Sequence, residues 1–274
     1  MNHIEWPQLE ALTLPQCDRE ARRGFIGGSD ANIIFSGDAV KVRQLWLEKR
    51  GEVQPEDLSD KLNVMLGCWS EPFNRLWYEK LTGDPVTLTG RTAFSADHNW
   101  RCCTLDGFVQ RCEAIFEAKH TNAFNTSDQV LERYMPQLQH NMAVTGSSRA
   151  ILSVIFGNHK YEIIEVASDW LYQLELLEAE EAFWKCVVSG SEPVPADAPP
   201  TPKPIGTREV CFEGSNAWAS AAVDWLEHRN AAKAHAAATG LIKSLIEDDV
   251  TRAFGHGIEA KRSKSGAITI RELA

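Results

Sequence analysis

At 274 residues, 43% of them hydrophobic, the chain can bury one large core plus an appendage, and no apolar run in it is long enough to span a bilayer. Met1-Asn-His-Ile-Glu-Trp-Pro lacks the basic start and apolar stretch of a secretion signal, and the seven cysteines form no C-x-x-C pair; a reducing cytoplasm is expected, without a disulfide framework, zinc ribbon or iron–sulfur cluster. A net charge of −10 weighs against phosphate binding over the whole surface, although a positive cleft can sit on an acidic protein.

In chain order, residues 14–24 read as a helix with a basic end at Arg19, Arg22 and Arg23. Gly27-Gly28-Ser29-Asp30 is a glycine turn running into a short apolar helix, with Ser29 or Asp30 as its cap. A second helix is expected at 39–50. From 58 to 81, Leu62, Met65, Leu66, Trp69, Phe73, Leu76 and Trp77 follow helical spacing up to Gly83, with Pro72 predicting a kink or a break near Cys68–Glu71. Strands are expected at 85–95, 101–110 and 113–120, a helix at 127–145, strands at 149–156 and 160–166, and a helix at 168–189. This order describes an α/β fold with a central mixed sheet flanked by helices.

Residues 191–204, with a dense run of prolines, read as a semi-extended linker and a domain boundary. The expected domains are therefore 1–190, a linker at 191–205, and a mainly helical extension over 206–274. In the extension, alanine-rich stretches at 215–238 and 240–253 read as a helical pair, and the tail as a hairpin turning at Lys264–Gly266. The extension could cap an oligomer, dock a partner, or contact DNA through Lys261, Arg262 and Lys264.

The segment from Cys103 to Lys119 carries the chemistry. With Arg111 and Cys112 at the turn, an antiparallel ladder pairs residues whose numbers sum to 223, setting Asp106 opposite Glu117. Period two then puts Lys119 on the Glu117 face and Ala114, Phe116 and Ala118 on the other. Two carboxylates facing each other repel, and a hard divalent cation removes that cost. A lysine one pleat away can orient or deprotonate an attacking water, so the arrangement suits metal-assisted phosphodiester hydrolysis. An exposed hairpin with solvated charges would carry the same three residues, and they do not decide the matter alone.

Further along, Glu71 stands in Gly67-Cys-Trp-Ser-Glu71-Pro, and Tyr134, Gln137 and Asn141 lie on adjoining turns of one helix. The Gly27-Gly28-Ser29 turn could offer backbone N–H groups to a phosphate, with Arg22 or Arg23 nearby. His120 falls on the face opposite Lys119 and reads as structural; His140 follows Gln137 by three residues and could be read as a ligand.

Arg22-Arg-Gly24 through Ser29-Asp-Ala, Gly67-x-x-x-Glu71-Pro, Leu105-Asp106-Gly107, Glu117-Ala118-Lys119 and Tyr134-x-x-Gln137-x-Gln139 occur in an order that resembles the phage-type exonucleases of the YqaJ and lambda-exonuclease group, within the PD-(D/E)xK nuclease superfamily. The resemblance covers about residues 14–185. It implies a restriction-endonuclease-like core and a DNA exonuclease in which Asp106, Glu117 and the Ala118 carbonyl ligate catalytic metal. Glu71 would hold a second ion. Two Mg²⁺ per site are implied, with Mn²⁺ able to substitute.

In the same resemblance Lys119 positions and activates water, Gln137 supports the site, Arg22 and Ser29 grip a 5′-phosphate, and Tyr134 contacts the substrate strand. It further implies a ring-shaped homotrimer that digests one strand of linear double-stranded DNA 5′→3′, leaving a 3′ overhang for a single-strand annealing protein in phage or prophage recombination, in the cytoplasm of a bacterial host. An endonuclease, or a non-catalytic DNA-binding or assembly protein on the same fold, are the alternatives.

Overall fold

The computed structural model describes residues 22–58, 60–207, 211–263 and 266–273. The helix expected at 14–24 lies mostly outside them; its end, Arg22–Gly24, is a 3₁₀ turn. The chain divides into two compact units between Thr207 and Arg208.

The first unit is built on a five-stranded mixed sheet. Its helices are α1 (Gly28–Ile34), α2 (Ala39–Lys49), α3 (Leu62–Thr82), α4 (Ser127–Thr145) and α5 (Trp170–Ser189). Its strands are β1 (Val86–Thr87), β2 (Thr92–Phe94), β3 (Cys102–Thr104), β4 (Gly107–Val109), β5 (Ala114–Thr121), β6 (Arg149–Phe156) and β7 (Lys160–Ala167). The main sheet runs β1-β4-β5-β6-β7, and β2 pairs with β3 in a separate ribbon. Only β5 and β6 pair in parallel; α4 is the crossover between them.

β5 is buried on both faces because helices cover both. Ala114, Phe116 and Ala118 point toward a cluster with Tyr78 of α3, the Tyr78 and Phe116 rings meeting edge-on at 5.1 Å. Ile115, on the other face, joins the larger core with Val130, Leu131, Met135 and Leu138 of α4.

Several expectations are corrected. The predicted 85–95 and 101–110 strands are each split between the two sheets. A methyl group at Gly107 would lie 2.1 Å from Val86 Cγ1, so glycine at this position makes room for the Val86 side chain where β1 pairs with β4. α3 runs unbroken through Pro72, starts at Leu62, and buries Asn74 and Tyr78. The Leu62, Phe73 and Leu76 side of its apolar pattern stays exposed, because Asn74 bonds the carbonyls of Lys119 and Ser153 at 3.3 and 2.9 Å and so fixes which face meets the sheet.

The proline-rich segment is extended but is held to the first unit. Gly37 N–H donates to Ala196 O at 3.2 Å and Ile205 N–H to Glu165 O at 2.7 Å.

In the second unit, one helix, α6 (Asn216–Ser244), replaces the predicted pair. Gly240 sits within it, where one glycine among strong helix formers costs only about 1 kcal/mol. That helix is the largest element of the extension, and three strands follow it: β8 (Arg252–Gly255), β9 (Ile258–Arg262) and β10 (Ile268–Glu272), in the antiparallel order β10-β9-β8. β9 and β10 pair as the predicted hairpin requires, while Lys264 and Ser265 of its expected turn lie outside the described residues. No helix among the described residues is long and apolar enough to cross a membrane.

Candidate active site

The β4–β5 ladder pairs Gly107 with Phe116, Phe108 with Ile115 and Val109 with Ala114, the register summing to 223. The turn is wider than two residues: Gln110–Cys112 make a 3₁₀ turn and Glu113 closes it at φ 52°. The ladder stops one pair short of Asp106. There the Asp106 carboxylate takes over, accepting the Ala118 N–H at 2.9 Å. A residue's N–H and C=O leave a strand on the same edge, so the Ala118 carbonyl faces the same gap.

Glu117 is the centre of the site. Only 2% exposed, it accepts hydrogen bonds from Lys119 Nζ at 2.6 Å and Gln137 Nε2 at 2.6 Å on Oε1, and from Asn141 Nδ2 at 3.3 Å on Oε2. Gln137 is itself held. Pro136 disturbs the preceding helical turn, and the Gln137 N–H donates to Asn32 Oδ1 at 2.9 Å, while Asn32 Nδ2 donates to Gln137 Oε1 at 3.2 Å. That orientation leaves the Gln137 amide nitrogen for Glu117.

Burial, then the nearby Glu117 charge, push the Asp106 carboxyl up to about 7. Burial alone would lower the Lys119 pKa, but the Glu117 and Asp106 carboxylates outweigh it and raise it. Lys119 therefore stands as an ammonium, able to orient a water by donation. With Asp106 ionised, two carboxylates face one ammonium, an arrangement that favours a cation.

Glu71 sits nearby on α3, its carboxyl pushed up by burial and by Asp106. It is ion-paired with Arg75, whose Nη1 also reaches the Asp106 carbonyl at 3.4 Å. Among the described residues no three His, Cys, Asp or Glu side chains converge on one point. Asp106, Glu117 and the Ala118 carbonyl are nevertheless hard oxygen donors of the kind Mg²⁺ takes alongside water and phosphate oxygens. They fit one ion. A second through Glu71 requires Glu71 to exchange its Arg75 partner. Burial pushes the Cys102 and Cys103 thiols up to about 12, so neither offers a thiolate.

Glu71, Asp106, Glu117, Ala118, Lys119, Tyr134 and Gln137 line one cleft of about 830 Å³. The Tyr134 ring has Lys119 Nζ 4.8 Å and the Arg133 guanidinium 5.5 Å from its centroid. His120 Nε2 bonds the Gly157 carbonyl at 2.8 Å. His140 is no ligand: fully buried, it bridges Glu180 at 2.7 Å and the Cys102 carbonyl at 2.9 Å.

Arg22 and Ser29 do not line this cleft but meet each other, with Arg22 Nη2 donating to Ser29 Oγ at 3.0 Å. Arg23 turns instead to Gln54 Oε1, also at 3.0 Å. α1 begins at Gly28 with Gly27 at its N-cap, in place of the expected Ser29 or Asp30, and Asp30 accepts the Gly27 N–H at 2.9 Å. The buried Lys49 ammonium ties the segment together, donating to Asp30 and to the Arg22 and Phe25 carbonyls at 2.6, 2.8 and 2.7 Å. The glycine turn abuts the site: a methyl group at Gly28 would lie 2.2 Å from Asn141 Oδ1 and 3.1 Å from Gln137 Cγ.

The sequence reading missed Asn32, Lys49 and Arg75, and gave Asn141 only a helix face. Asn141, four residues after Gln137, and Arg75, four after Glu71, carried a legible signal; Asn32 and Lys49 act across 19 to 105 residues of chain.

Residues 19–148 match the YqaJ-like viral recombinase domain family. Fourteen solved chains are similar. An alkaline exonuclease from Laribacter hongkongensis, LHK-Exo, is 19% identical over 64% of this chain and 93% of its own, with a TM-score of 0.54. Its complex with dAMP gives the same identity and coverage and a TM-score of 0.55. These likenesses establish the fold. No curated protein matches the chain.

Proposed function

From the YqaJ-like viral recombinase domain that residues 19–148 carry, we propose that the protein is a Mg²⁺-dependent exonuclease acting on linear double-stranded DNA, removing one strand 5′→3′ and leaving 3′ overhangs for recombination by strand annealing. The observation that carries this reading is the buried Glu117, held by Lys119, Gln137 and Asn141 beside the Asp106–Ala118 contact. A solvated hairpin has no reason to bury a carboxylate and give it three donors. The alkaline exonuclease likeness supports the same class.

Asp106, Glu117 and the Ala118 carbonyl would hold Mg²⁺, with Mn²⁺ able to replace it on oxygen donors. When bound, the ion supplies charge neutralisation and Lewis acidity at the phosphate. Gln137 and Asn141 keep Glu117 in place; Lys119 orients the attacking water from the Glu117 face. Arg22 and Ser29 supply a cation and a hydroxyl for a terminal 5′-phosphate, and Tyr134 contacts the strand entering the cleft. The ring-shaped homotrimer, the annealing partner, a second ion at Glu71 and a bacterial cytoplasmic location complete this reading.

The test is digestion of linear duplex DNA with and without a 5′-phosphate, beside a closed circular plasmid, with and without Mg²⁺. Mg²⁺-dependent loss of the phosphorylated linear DNA alone is expected. Equal cutting of the circle would identify an endonuclease, and no hydrolysis of any substrate a non-catalytic DNA-binding protein.

A further inference from the structure

The second unit carries a sheet face unlike the rest of this acidic chain. Directly opposed residues of an antiparallel sheet share a face, and β8–β10 pair Arg252 and Thr269 with Lys261, and Phe254 and Arg271 with Glu259. These six therefore lie on one side. The other side holds Ala253, Ile258, Ala260, Ile268 and Ile270, together with Arg262. The Arg262 guanidinium donates to the carbonyls of Ile246, Glu247 and Val250 at 3.1, 3.0 and 3.3 Å, which occupies it and marks that side as the inner one.

On the outer side Phe254 is 69% exposed, and the side chains of Arg252, Lys261 and Arg271 are 53%, 54% and 63% exposed. Glu259 lies beneath them, 1% exposed, accepting from Arg252 Nε and from Arg271 Nε at 2.7 Å. It pegs both guanidiniums to the sheet. Three cations against one carboxylate leave the face positive. The Arg252 guanidinium also lies 4.8 Å from the Phe254 ring centroid, so a planar cation and an aromatic ring are presented together.

We propose that this outer face binds single-stranded DNA, with Arg252, Lys261 and Arg271 on the phosphates and Phe254 stacking on a base. The combination of fixed cations with a solvent-facing ring is that of a stacking platform, and only unpaired bases can stack on it. A membrane surface is disfavoured because Phe254 is the sole large apolar side chain on this face. The choice of DNA over RNA rests on the nuclease reading of the first unit, whose product carries an unpaired DNA strand.

The test uses the full chain in EDTA, with fluorescence anisotropy on labelled oligothymidylate, its RNA counterpart, and anionic phosphatidylglycerol vesicles. Phe254→Ala with Lys261→Ala should weaken oligothymidylate binding about tenfold or more, and Lys261→Ala alone should reduce the salt slope of log K by about 0.7. Phe254→Trp should retain binding. Neither substitution removes a Glu259 guanidinium partner, so the sheet should remain folded, checked by circular dichroism. Unchanged affinity and slope, tighter binding to RNA, or equal loss on vesicles would overturn the proposal. Hydrolysis of linear duplex by wild type, measured separately with Mg²⁺, reports on the nuclease reading whichever way the binding result falls.

Discussion

Gln137 Nε2 donates to Glu117 Oε1 at 2.6 Å, across twenty residues of chain, and Asn32 fixes the orientation of that amide. In the proposed reading Gln137 is a positioning residue: it touches the carboxylate proposed to bind metal. Gln137→Ala should raise the Mg²⁺ concentration for half-maximal hydrolysis about 10- to 100-fold, as loss of a supporting partner typically does. A purely structural role would lower melting temperature with the Mg²⁺ midpoint unmoved, and Gln137→Glu, which sets a second carboxylate against Glu117, should not rescue.

Lys119→Ala should abolish hydrolysis while duplex binding in Ca²⁺ or EDTA persists. The Lys119 ammonium is the cation against the Asp106 and Glu117 charges, so its loss removes the donor proposed to orient water but leaves the cleft open. Retained turnover would refute the role given to Lys119.

Arg22 meets Ser29 while Arg23 meets Gln54, which separates two neighbouring arginines that spacing leaves equivalent. Arg22→Ala and Ser29→Ala should each erase the rate advantage of a 5′-phosphorylated end over a 5′-hydroxyl end. Arg23→Ala should keep it. Comparison of initial rates on the two ends checks both statements.

Gly28→Ala places a methyl group 2.2 Å from Asn141 Oδ1. The helix must shift or Asn141 must leave Glu117, at a cost of about 1–3 kcal/mol, the usual range for overpacking a dense site. Denaturant unfolding measures the loss, and hydrolysis should fall with it because the displaced side chain is one of the Glu117 donors.

The Arg252 and Arg271 guanidiniums bonded to Glu259 hold its carboxyl down at about 2. A carboxyl depressed in the folded state stabilises above its ordinary unfolded pKa of about 4.3, and that contribution disappears as pH falls toward 2. The melting-temperature gap between wild type and Glu259→Gln should be full at pH 6 and close between pH 4.5 and 2. A gap independent of pH would show that the pairs contribute nothing through ionisation.

What could be read from the residues in order is what is local. Alternation on β5 and the turn after Val109 set the register that brings Asp106 to the edge beside Glu117 and puts Lys119 on the Glu117 face, because side-chain direction in a strand follows from parity alone. The order of helices and strands in the first unit was legible for the same reason: each element's periodicity is written in its own residues. What surrounds the carboxylates was decided by tertiary structure. Asn32 reaches Gln137 across 105 residues, Lys49 gathers the Arg22 and Phe25 carbonyls, Arg75 claims Glu71, and Gly28 is required by Asn141 rather than by its own backbone angles. Of these contacts only Arg75 with Glu71, four residues apart on one helix, has a local period. The face that α3 turns inward was decided on the same ground, since the hydrogen bonds of Asn74 to two strand carbonyls outweighed the helix's own apolar pattern.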